Sequence, residues 1–118
     1  MSKFDFILVF FGVTLSALGA LLLKLGAVEI QYNKSLNQII FQILFNWKII
    51  TGLIFYFIPA LIWIVLLKRI ELSFLQPLFS LVYVLTPMFA MIFLGETIPT
   101  MKWIGILIII IGLSVATI

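Results

Sequence analysis

The sequence predicts an all-α fold: an integral membrane bundle of four transmembrane helices, with a short interfacial helix between the first and second spans. Three observations carry this. Hydrophobic residues make up 65% of the 118 and charged residues only 9%, against roughly a quarter charged in a soluble domain. Mean hydropathy is +1.39, so the exterior faces lipid. The apolar residues also fall into four runs near the ~20 needed to cross a bilayer, which leaves one membrane domain over 1–118 and no stretch for a soluble one.

The first span is expected at about 4–27. Lys3 precedes it as in a signal peptide, but the apolar run exceeds the roughly 7–15 residues of a signal core and no small-x-small cleavage site follows. Its small residues Gly12, Ser16, Gly19 and Gly26 share one helical face. Such a face lets backbones approach closely in lipid, or it lines a groove. Lys24 stands late in this run with no acid beside it. An ammonium deep in a bilayer costs about 2.5–3.5 kcal/mol, so Lys24 either receives an anion or snorkels to headgroups.

A polar stretch follows, and Ser35 with Gln38 fits a capping box. Leu36, Ile39, Ile40, Ile43 and Leu44 then repeat on one stripe, which reads as an amphipathic helix over about 36–46 anchored by Trp47 and Lys48. An extension of the second span would give the same pattern. That span is expected at 49–67, stopped by Lys68 and Arg69. Its Tyr56, Pro59 and Trp63 form an aromatic stripe that reads as packing.

The third span, expected at 72–94, places Ser73, Gln76, Ser80, Tyr83 and Pro87 on one face. Polar groups at this depth face protein or water rather than lipid, so the stripe reads as a polar lining. Gly95 ends the helix, and Pro99 suits the start of a fourth span at 101–117. There Gly105, Gly112 and Ala116 share a face suited to a close crossing with a second protomer.

Charge restricts function. No carboxylate lies in the middle of any span: Asp5, Glu29, Glu71 and Glu96 stand at ends or in loops. A proton-coupled exporter of organic cations needs a buried one. The chain has no Cys and no His, which removes the usual metal sites, imidazole relays and disulfides. Neither a nucleophile–base pair nor a phosphate-cradling glycine loop is present, so no enzyme, cofactor or metal is expected. Seven scattered basic residues give a net +3 and no cluster for nucleic acid. Lys3, Lys68 and Arg69 fall on one side and Lys34, Lys48 and Lys102 on the other, with Lys24 near the second group, a balance that sets no orientation and suits antiparallel dimers.

Taken together, four short spans, a lysine late in the first, a polar third helix with prolines and glycines seven apart in the fourth resemble the small multidrug resistance family of the drug/metabolite transporter superfamily. Transporters of that family carry an essential glutamate where this chain has Ser16. Ser16 and Gly19 ahead of Lys24, then Pro77 with Ser80 and Leu81, are similar to the small subunits of the aminoarabinose–phosphoundecaprenol flippase. So are Glu96 with Pro99, followed by Trp103, Gly105 and Gly112. The resemblance implies a transporter or flippase subunit for a lipid-linked sugar or similar amphiphilic anion. It would sit in the inner (plasma) membrane as a homodimer or as a heterodimer with a similar small subunit. Lys24 would receive the phosphate, with Ser16, Gln76, Ser80 and Tyr83 as further substrate contacts, while Glu96 belongs to a structural turn. The alternatives are an exporter of small hydrophobic drugs or metabolites and a non-transporting assembly partner.

Overall fold

The computed structural model describes residues 3–118, all of whose regular elements are helices. They are α1 (Lys3–Ala27), α2 (Leu36–Leu44), α3 (Trp47–Leu67), α4 (Leu72–Phe79), α5 (Val82–Leu94) and α6 (Thr100–Ala116). Lys3–Ala27, Trp47–Leu67 and the combined stretch Leu72–Leu94 are long and apolar enough to span a membrane. With 17 residues, α6 is shorter, about 25 Å of helix. This is a multi-pass membrane protein, and a fourth crossing by α6 belongs to the proposal below.

The central contact joins α1 to α3, with α5 against another side of α1 and α6 touching chiefly α4 and α5. Glycine sets how closely α1 and α3 approach. A Cβ on Gly19 would lie 3.0 Å from the Gly52 carbonyl oxygen, and one on Gly52 would lie 3.0 Å from that of Gly19. A Cβ on Gly26 would meet Ile49 Cγ1 at 2.5 Å, and one on Gly12 would press on Phe79 at 3.3 Å. The small-residue face of α1 is therefore a packing face, with Ser16 buried within it. Gly105 and Gly112 of α6 have nothing within 4 Å.

Polar pairs fasten opposite ends of this core. Arg69 Nη2 lies 2.7 Å from Asp5 Oδ1, joining the start of α1 to the end of α3. At the other end Lys48 pairs with Glu29. Asn46 caps α3 by accepting from Lys48 N at 3.0 Å and Ile49 N at 3.3 Å, while its Nδ2 donates to Glu29 Oε2 at 3.1 Å. The Lys48 ammonium, then the Asn46 amide, hold the Glu29 carboxyl below its ordinary value. Between these ends, Val9, Val13, Leu66, Leu75 and Leu78 form the buried apolar cluster. Trp63 meets Phe79 edge to face beside it, at 4.3 Å between centroids.

Several boundaries differ from those expected. The amphipathic helix is separate from the second span, but it ends at Leu44 rather than at 46, with Phe45 and Asn46 interrupting the chain. Trp47 and Lys48 accordingly open α3 instead of closing α2. The capping-box pairing holds at Gln38, whose Oε1 accepts from Ser35 N at 3.4 Å. Gln42 adds a pairing that periodicity does not show: Oε1 accepts from Gln31 N at 2.9 Å and Nε2 donates to Gln31 O at 3.2 Å. This clips the preceding loop onto α2.

The third span is broken. Pro77 has no N–H to donate to Ser73 O, and the Pro77 carbonyl accepts from both Ser80 N and Ser80 Oγ. Leu81 N turns instead to Leu78 O at 3.2 Å. A serine that takes the backbone acceptor in this way competes with the helix. The α-helix stops at Phe79 and resumes at Val82.

Two outcomes test this account. Gly19→Leu should destabilise the fold by about 1–3 kcal/mol through overpacking, read from reversible unfolding in mixed micelles. Gly105→Leu, with open space around it, should stay within about 0.5 kcal/mol. For Glu29 the folded value lies below the ordinary 4.5, so its contribution is complete above that pH and is lost as pH falls through the lower folded value. Protection of the amides at residues 26–30, relative to their intrinsic exchange at each pH, should fall below pH 4.5, and Glu29→Gln should remove that dependence.

Candidate functional site

Lys24 lies in the last turn of α1, with its side chain exposed. There it complements the partial negative charge of the helix end, and it makes no ion pair among the described residues. It lines a recess of about 200 Å³ between α1 and α5. Ala20, Leu21 and Lys24 supply one wall, Thr86, Ala90 and Leu94 the other, and Glu96 the rim. Two alanines make the space.

The C-cap of α5 brings Glu96 to the rim. Gly95 is left-handed at φ 68°, a conformation that costs other residues about 1–2 kcal/mol. Its N–H donates to Ala90 O, and Glu96 N donates to the same oxygen at 3.3 Å. The turn thus folds back toward Ala90, itself a lining residue.

Three expected site residues gather elsewhere. Gln76, Ser80 and Tyr83 line one pocket of about 460 Å³ with Pro77, Phe79 and Val82. The tight turns across the break, Ser80 N to Pro77 O at 3.0 Å and Tyr83 N to Ser80 O at 2.9 Å, keep the three on one side. No residue of α1, α3 or α6 lines this pocket, so it opens outward and Tyr83 is 63% exposed. Ser16 joins neither group; it is 8% exposed on the packing face of α1. The expected constellation therefore divides among a recess holding Lys24, an outward pocket and a buried serine.

The recess and the pocket adjoin along α5. Tyr83 closes one and Thr86 opens the other, a rise of about 4.5 Å and a rotation of about 60° on the helix. Over residues 1–118 the sequence matches the EamA-like transporter family. The chain belongs to the EamA-like transporter family. This EamA-like chain is therefore a membrane transporter of the drug/metabolite type. The match extends to that superfamily; the likeness to the small multidrug resistance branch and to the flippase subunits rests on the residues quoted above alone. No curated protein and no solved structure matches the chain.

Sequence reasoning missed Thr86 and Glu96. The available signal is parity: with antiparallel spans, the end of the first and the turn after the third lie at the same membrane face. Because the EamA-like chain has no native cysteine, single cysteines can map these positions. Lys24→Cys should react with a soluble maleimide about an order of magnitude faster than Ser16→Cys, since thiol reactivity follows exposure. Equal rates would place Ser16 in the accessible path.

Proposed function

We propose that this EamA-like protein is a transporter or flippase subunit moving a lipid-linked sugar of the polyprenyl-phosphate type, or a similar amphiphilic anion, across the inner (plasma) membrane. The observation that carries the reading is Lys24, a cation that makes no ion pair among the described residues, in a recess whose walls are mostly apolar. Low-dielectric walls strengthen attraction for an anion, and an ammonium offers a phosphate a compact charge with three donors. Gln76, Ser80 and Tyr83, along the adjoining edge, would contact the sugar. Ser16, buried on the packing face of α1, would serve this reading by support of that helix rather than by contact with the substrate.

The protein works here as a dimer, of like or similar subunits, with α6 as a fourth span and α2 at the interface. Support comes from the outward pocket. An amide, a hydroxyl and a phenol in the third span would otherwise face lipid, where such groups seek protein or water. Gly105, Gly112 and Ala116 offer a second protomer an open groove on α6. A second reading, export of a small hydrophobic drug or metabolite, is favoured by the mostly apolar walls of the recess. Its volume of about 200 Å³ is below the roughly 300–1,000 Å³ of pockets that engulf a drug-sized ligand and would restrict the cargo to smaller solutes.

The test is native mass spectrometry of the purified full chain with polyprenyl phosphate. Wild type should retain the lipid, and Lys24→Ala should weaken retention about tenfold or more, in line with about 1.5–3 kcal/mol for a hydrogen bond to a charged group. Equal retention would return Lys24 to anchoring at headgroups and favour the small-solute reading.

A further inference from the structure

We infer that Glu96 is the resident counter-charge of Lys24, competing with the incoming anion for the ammonium and so setting how readily the recess accepts one. The competition rests on the phosphate reading of Lys24; the pairing itself does not. Both side chains border the same recess of about 200 Å³, with Ala20, Leu21, Ala90 and Leu94 as its apolar walls. The other acid near this face, Glu29, is engaged, held by Lys48 and Asn46. No other carboxylate lines the recess.

Opposite charges sharing an apolar recess attract more strongly than in water, so an empty recess favours the pair. Glu96 is nevertheless exposed and forms no ion pair with Lys24 here, which leaves room between the charges. Such an exposed pairing is weak enough to exchange. The recess is too small for a whole lipid-linked sugar and suits only its charged end. An anion entering would take Lys24 and release Glu96 to water. An anion interacting weakly with the ammonium would fail to displace the carboxylate, which makes Glu96 a specificity-determining residue. Its placement depends on Gly95, whose left-handed turn carries Glu96 back over Ala90.

The experiment measures acylation of Lys24 by a soluble amine reagent on the full chain in lipid nanodiscs, with and without polyprenyl phosphate. Lys34 and Lys102 serve as internal references. Contact with the carboxylate shields the amine and slows acylation. Glu96→Gln should speed reaction at Lys24 about two- to fivefold, leave the references unchanged, and let the lipid protect Lys24 at two- to fivefold lower concentration. Glu96→Asp, which keeps the charge, should stay near wild type. Unchanged Lys24 labelling in Glu96→Gln would overturn the pairing whether or not lipid binds. Faster labelling with equal lipid protection in wild type and Glu96→Gln would overturn the competition. Faster labelling with no protection in any variant would support the pairing and overturn the phosphate reading instead.

Discussion

The backbone approach of Gly19 to Gly52 is the constraint on which the other placements depend. In lipid there is little hydrophobic gain from bringing two helices together, so contact must come from packing and directed polar bonds. Hydrogen side chains at both positions let two carbonyl-bearing ridges meet. Once α1 and α3 are that close, Gly26 must also be small against Ile49, and Gly12 against Phe79. α5 then takes the remaining side of α1, and the Lys24 recess forms where Ala20 faces Ala90.

The charges divide by location. Asp5 with Arg69 and Glu29 with Lys48 join α1 to α3 at opposite ends of the pair. They orient the helices at the two faces: Lys48 and Glu29 meet within reach of water, whereas Asp5 is buried against Arg69. Lys24 and Glu96 are on neither fastening, and both border the recess. Two of the four acids, Asp5 and Glu29, thus serve architecture, and Lys24 takes part in neither fastening.

Much of this is legible in the sequence, for physical reasons that can be named. Apolar run length locates the helices because a bilayer has fixed thickness. The spacing of Gly12, Gly19 and Gly26 marks a close-packed face because only that face can tolerate hydrogen side chains. The break at Ser80 and Leu81 is not readable from proline alone: Pro59 sits within continuous α3 and Pro87 within continuous α5. What distinguishes Pro77 is a serine three residues on that takes its carbonyl. Likewise, the fastenings by Asn46 and Arg69 and the meeting of Lys24 and Glu96 at one recess depend on which helix ends share a face. The likeness of Glu96 to a turn motif points to the loop geometry, but not to the recess beside it.

The interruption between α4 and α5 has a mechanical meaning. α1 and α3 are fastened at both ends and pressed together between them, so they act as a stiff plank. The neighbouring column is instead jointed part-way through its length. A tilt of the half beyond the joint would reshape the mouth at Lys24 and Glu96, while Leu75 and Leu78 stay in the buried cluster on the near side. One flank is thus fastened along its length and the other is divided into two shorter pieces.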